Sequence, residues 1–194
     1  MKQTPNFYNW RAIILHRPDA TTDRLTRQLK LFGFVVETFW QPLAAGQQFD
    51  LVIVDADQGW NGLLPWATPQ TALCPLVALL GSEAPSRVSW AYEQGAGAIL
   101  AKPLNTSAVY PALIMALAVH GERAATRDQI NRLEERVRLR PLVVRAVEAL
   151  AVQRNITEDE AHGLLRARAM HQRQMIEVIA AAFLAGHDLL AEAG

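Results

Sequence analysis

The chain of 194 residues holds a single cysteine, Cys74. One cysteine permits neither an internal disulfide nor a thiolate metal cluster, and such scarcity fits a reducing compartment. Net charge is missing as well, since 19 Lys and Arg offset 19 Asp and Glu. A cancelled total gives no global attraction to nucleic acid or to an acidic membrane surface, although it leaves room for a local basic face. No stretch approaches the roughly 18 uninterrupted apolar residues of a membrane-spanning helix. Met1–Trp10 lacks the charged-then-apolar pattern of a signal peptide. There is no glycine-rich phosphate loop, no nucleophile elbow and no histidine pair at metal spacing. His162 and His171 fall on different predicted helices and read as surface or capping residues. The expectation is a cytoplasmic, non-enzymatic protein with no cofactor, no metal and no membrane partner.

What is present is apolar material: 51% of the residues are hydrophobic and 20% charged, enough for a packed core and too little charge for wholesale disorder. Short apolar runs at Ala12–Leu15, Phe34–Phe39, Leu51–Val54, Leu76–Leu80 and Ala98–Leu100 read as strands buried on both faces. Helical stretches are expected at Thr21–Phe32, around Gly62–Thr68, at Ser86–Gln94 and at Asn105–Val119. Strands alternating with helices predict an α/β fold with a parallel, doubly wound sheet, whose function gathers at the carboxyl ends of the strands. Of the five tryptophans, Trp60 and Trp66 share a stretch broken by glycine and proline, where burying both is hard to arrange. One of them is a candidate partner-surface anchor.

From Gly121 the texture is helical. Ile130, Leu133 and Val137 stand at a/d spacing within the charged stretch Arg127–Arg140, but Arg123 and Thr126 break the seam one turn earlier. This supports a short stalk or dimer coil and no long coiled coil. Pro141 is placed as the first residue of a new helix. Leu142, Val143, Ala146 and Leu150 then form one apolar face, and Thr157–Glu160 is a capping box that opens a helix with Ala161, Leu164 and Leu165 inward. A third helix carries Met175, Ile176, Ile179, Phe183 and Leu184 up to Gly186. The expected domains are an α/β unit over 10–120, a helical linker over 121–140 and a small all-α three-helix bundle over 141–187.

The first half resembles the receiver domains of two-component response regulators, with their flavodoxin-like (βα)5 sheet. Asp55 ends the run Asp50–Leu–Val–Ile–Val–Asp55, as the family's phosphoryl acceptor does; Gly95–Ala96 and Lys102–Pro103 match its later turn and its Lys-Pro. The resemblance places the family's acidic metal-binding pair at His16 and Arg17, counting back from Gly33. Phosphoryl transfer to a carboxylate needs Mg²⁺, and an arginine repels that ion. Asp19 is the neighbouring carboxylate that would have to substitute. The family's Ser or Thr at the end of strand four is Leu80 here, which has no hydroxyl. Asp55, Lys102, His16, Arg17 and Leu80 thus read as a vestigial phospho-site in a pseudo-receiver, with Asp55 and Lys102 kept as a structural ion pair. The alternative is a phosphorylation-dependent response regulator that uses Asp55.

The second half is similar to the ANTAR module, a three-helix RNA-binding domain, at Arg140, Val143 and Ala146, at the Thr157–Glu160 cap, and at Ala161, Leu164–Leu165–Arg166, Ala169–Met170 and Arg173. It departs at Val147–Glu148, where the family carries Lys-Gly. Together with Pro111 inside the helix after Lys102–Pro103, the two halves resemble the AmiR/NasR-type (ANTAR) transcription antitermination regulators, the amidase-operon type most closely. The resemblance implies a homodimer that binds leader-mRNA hairpins and is controlled through its pseudo-receiver by a ligand-sensing regulatory protein. Arg166, Arg168, Ala169, Met170, His171 and Arg173 are the candidate RNA-binding residues. Their positive charge lies at one end of the second bundle helix, and Glu158, Asp159 and Glu160 at the other. Arginines that grip phosphates and stack on unpaired bases suit an RNA loop better than duplex DNA. A structural adaptor dimer is a further reading, in which the tail serves assembly alone.

Overall fold

In a computed structural model, which describes residues 5–44 and 46–186, five parallel strands form one sheet. They are β1 (Arg11–Leu15), β2 (Val35–Phe39), β3 (Leu51–Asp55), β4 (Leu76–Leu80) and β5 (Ala98–Ala101), in spatial order β2-β1-β3-β4-β5. The order reverses between β1 and β3, so the loops leaving those two strands diverge and open a crevice at their carboxyl ends. Register then aligns the exits: Leu15 pairs with Val54, Asp55 with Leu79, and Leu80 with Ala101. Residues just beyond these positions are thereby brought together, although the sequence scatters them over more than eighty positions.

Alternation along the strands builds two apolar layers. Ile14, Ile53, Val77, Leu79 and Leu100 pack on one face with Leu25 and Leu29 of α1 (Ala20–Leu31) and with Val109 and Leu113 of α3 (Thr106–Arg154). Leu15, Val52, Val54, Leu76 and Ala78 pack on the other with Leu63, Trp66 and Trp90, the last on α2 (Pro85–Glu93). β1, β3 and β4 carry the buried runs that the sequence suggests. β2 and β5 do not: they are the two edge strands of the sheet, with Val35, Glu37 and Thr38 exposed on β2 and Ile99 exposed on β5.

Two helical expectations are corrected. No helix forms over 62–68. Gly62 turns at φ +91°, Pro65 lacks an N–H, and the segment is held by buried Leu63, Leu64 and Trp66, with a short 3₁₀ turn at Pro69–Thr71. Nor does a new helix start at Pro141, since α3 runs unbroken through both Pro111 and Pro141. A proline removes one N–H from the ladder, and the bonds on either side persist in a helix this long.

The chain divides into two compact units, one ending at Arg127 and the next beginning at Asp128, inside α3. In the first unit, Arg123 donates to Gly95 O at 2.6 Å and Arg127 to Gln70 O at 2.7 Å. The residue that spoils the coiled-coil seam is therefore occupied in holding its helix. In the second unit, Ala146, Val147, Leu150 and Ala151 of α3 pack with Ala161, Leu165 and Ala169 of α4 (Glu158–Gln172) and with Ile179 and Ala180 of α5 (Ile176–Leu184). Leu164, expected inward, is exposed, while its neighbour Leu165 fills the core. The expected final boundary at residue 187 lies outside the described residues.

Candidate functional site

At the carboxyl end of the sheet, five side chains and one loop converge. Asp55 is 3% exposed, and its two oxygens differ in their surroundings. Oδ1 accepts from Lys102 Nζ at 2.8 Å and from the Asp57 N–H at 3.1 Å. Oδ2 faces His16 Nε2 at 3.3 Å. His16, 4% exposed, directs Nδ1 at the Arg17 carbonyl, 2.6 Å away, so that nitrogen is the donor. Its Nε2 makes no hydrogen bond and looks onto the carboxylate. Thr22, buried on the first turn of α1, donates its hydroxyl to the Arg17 carbonyl at 3.0 Å and braces this arrangement.

The seat beside Asp55 is thus filled by an imidazole. That corrects the part expected of Arg17, whose side chain is exposed and whose carbonyl alone takes part. Asp19 does not supply a replacement ligand. It is the N-cap of α1 and accepts from the Thr22 N–H at 2.8 Å, with the Thr22 hydroxyl, whose one proton it shares with the Arg17 carbonyl, at 2.9 Å. Slight burial would raise its carboxyl pKa, but these bonds and His16 hold it below the ordinary aspartate value. No cluster of three or more His, Cys, Asp or Glu able to hold a metal exists among the described residues. Leu80 is buried and offers no hydroxyl to the cluster.

Sequence reading missed Asp57. Its carboxylate accepts from Lys102 Nζ at 2.8 Å, from the Gly81 N–H at 2.7 Å and from the Ser82 N–H at 3.2 Å. Burial works against the charged form, yet Lys102 and these two amides outweigh it and keep the carboxyl below its usual range. Lys102 gains correspondingly: burial would lower it, and the bonds to Asp55 and Asp57 lift it above the ordinary lysine value. The available signal was the pair Asp55-Ala-Asp57, two carboxylates one residue apart at the end of a buried strand. Of the two tryptophans in the broken stretch, Trp66 is buried with Nε1 donating to Gln94 O at 2.8 Å. Trp60 is 41% exposed and packs edge-on against Trp40.

In the helical unit, the capping box opens α4: the Glu160 N–H donates to Thr157 Oγ1 at 3.3 Å, and the Thr157 N–H to Glu160 at 2.9 Å. Bonds from the Thr157 backbone and hydroxyl hold the Glu160 carboxyl below its usual value. Ala161, Leu165 and Ala169 form the buried stripe. Ala169, at 5% exposed, is core and removed from the RNA-binding candidates. The other candidates divide across that stripe. At 100° per residue, His162, Arg166 and Met170 lie along one flank, followed by Arg173, and all four are exposed. Arg168 lies on the opposite flank beside the Gln172 amide, which accepts from Arg168 Nε at 3.1 Å when its oxygen faces it, and His171 is exposed on that side. Arg173 is the C-cap of α4 in the left-handed conformation, φ 52° and ψ 38°. His162 is the member of the flank that sequence reasoning set aside.

The model of the AmiR N-terminal domain matches residues 10–117, and that of the ANTAR domain matches residues 131–184. The chain is 29% identical over 175 residues to the aliphatic amidase regulator of Pseudomonas aeruginosa, covering 87% of this chain and 88% of that one. It is 29% identical over 133 residues to the transcriptional regulatory protein PdtaR of Mycobacterium tuberculosis, covering 68% and 65% respectively. Among solved structures, the response regulator StyR superposes with a TM-score of 0.53 at 18% identity, over 91% of this chain and 98% of that one, a likeness of fold alone.

Proposed function

The chain belongs to the family of the AmiR N-terminal domain joined to an ANTAR domain, transcription antitermination regulators, and from that premise we propose that it binds hairpins in leader mRNA through α4. The flank of Arg166, Met170 and Arg173, with His162 beside it, is the observation that carries this reading. Guanidinium groups supply bidentate phosphate contacts, and Met170, 71% exposed, supplies an apolar surface on which an unpaired base can rest. Arg168 and His171 reach the same nucleic acid from the other flank.

In this reading the protein has no catalysis of its own and works in the cytoplasm. The strand-end cluster is a vestige, because Lys102 and the Asp57 N–H hold one Asp55 oxygen and the buried His16 ring stands 3.3 Å from the other. Input then comes from contact between the receiver-like unit and a ligand-sensing regulatory protein. Ile130, Leu133 and Val137 stay exposed along α3, which supports pairing with a second copy. Two RNA-binding units held together engage two hairpins with a gain in effective concentration.

The test is retention of a leader RNA bearing two small hairpins by the purified chain, as a function of salt. Specific, salt-sensitive binding lost on scrambling the loops supports the reading. A stable dimer that retains no RNA identifies the chain as a structural adaptor instead.

A further inference from the structure

Three donors from two loops aim at one point in the receiver-like unit: the N–H groups of Gly81 and Ser82, which follow β4, and the ammonium of Lys102, which follows β5. The point is occupied by the carboxylate of Asp57. Its Oδ2 receives two short, charge-assisted bonds, 2.7 Å from Gly81 N and 2.8 Å from Lys102 Nζ, and Oδ1 receives the third at 3.2 Å from Ser82 N. Successive backbone N–H groups facing the same way, with an ammonium beside them, make a concavity for an oxyanion whatever molecule carries it. Position 81 shows how closely it is built. A Cβ there would lie 3.1 Å from Asp57 Oδ2 and 3.5 Å from Lys102 Cε, so glycine leaves the anion its room.

We propose that Gly81, Ser82 and Lys102 form an oxyanion-binding site that the chain fills with its own Asp57, so that this internal anion holds the loop after β4 in place. The carboxylate is tethered to β3, and an intramolecular group outcompetes a free anion because its encounter entropy is already spent. His16 is the counterpart on the far side of Asp55, a ring where a small cation would otherwise meet that carboxylate. The row His16–Asp55–Lys102–Asp57 alternates imidazole, carboxylate, ammonium and carboxylate. Removing Asp57 uncovers the hole. The acceptor for Gly81 and Ser82 is lost, Lys102 keeps only Asp55, and a tetrahedral oxyanion becomes the group that fits. Asp55, sharing Lys102, repels it and sets the affinity low.

The full chain carrying Asp57→Ala is titrated with inorganic phosphate, against sodium chloride at matched ionic strength, following amide exchange at Gly81 and Ser82. In the native chain neither salt changes those amides. In the variant they exchange roughly tenfold faster, the loss of a charge-assisted bond, and phosphate, not chloride, restores protection in a saturable way. The inference is overturned if the variant keeps native protection without phosphate, or if phosphate does no more than chloride. Should Asp57→Ala fail to fold, Asp57→Asn keeps the shape and removes the charge. Faster exchange at both amides than in the native chain supports the internal anion, and unchanged exchange overturns it.

Discussion

His16 Nε2 stands 3.3 Å from Asp55 Oδ2, with both groups buried, and the other side of the imidazole is pinned to the Arg17 carbonyl at 2.6 Å. A ring pinned at Nδ1 and buried against the carboxylate occupies the place that a divalent ion would need. Lys102 and the Asp57 N–H take the other oxygen, so a phosphodonor meets an imidazole where the metal would stand and a carboxylate already bonded on one side. Incubation with acetyl phosphate and Mg²⁺ should leave the intact mass unchanged. A single added phosphoryl group mapped to Asp55 would show that the cluster opens.

The two flanks of α4 lead to unequal expectations for its arginines. Arg166→Ala with Arg173→Ala should weaken binding to a leader hairpin and flatten its salt dependence, by roughly 0.7 in log–log slope for each lost phosphate contact on single-stranded RNA. Arg168→Ala, on the flank beside Gln172, should have the smaller effect. Filter binding across a salt series measures both. Equal losses from all three would mean that the RNA wraps the helix end and does not select one flank.

Arg173 is held at φ 52°, a conformation that L side chains adopt at a cost of about 1 kcal/mol and glycine adopts freely. Arg173→Gly should therefore raise the melting temperature of the helical unit by roughly 4 °C while lowering RNA affinity. Gain in one property and loss in the other is the signature of an arginine kept for contact. A variant both less stable and unchanged in binding would assign Arg173 to the fold alone.

Acid should loosen the strand-end cluster in a defined direction. Asp57 lies below its ordinary value against the pull of burial, so its contribution is complete above the unfolded carboxyl value of about 3.9 and disappears as pH falls through the folded one. Lys102 lies above its ordinary value, so its share is complete below about 10.4 and disappears as pH rises through the folded one. Urea midpoints of the native chain should hold level in these two groups near neutrality and fall at both extremes. Asp57→Asn should flatten the acid limb; curves that stay parallel between about pH 3 and 5 would remove Asp57 as its source.

Much of the architecture is legible along the chain because it follows from local pattern. Buried runs such as Leu51–Val54 and Leu76–Leu80 have no polar residue to place and read as inner strands. The Thr157–Glu160 box declares its helix start by chemistry that needs no distant partner. Helix continuity escapes such reading. Pro141 carries a strong local boundary signal, and the hydrogen bonds around it keep α3 intact all the same. Burial on α4 escapes it too, because Leu164 and Leu165 are alike in composition and differ only by the 100° between them.

By itself, the sequence determined that a parallel sheet is followed by helices, and that Asp55 and Lys102 stand at strand ends without acidic neighbours at His16 and Arg17. Only the tertiary structure decided which neighbour fills the gap. Register between β1, β3, β4 and β5 delivers His16, Asp57 and the Gly81 amide to one carboxylate–ammonium pair, and turns Arg17 out to solvent. The physical reason is that hydrogen-bond and ion-pair partnership depends on distances of about 3 Å across strands. Spacing along the chain carries no record of them.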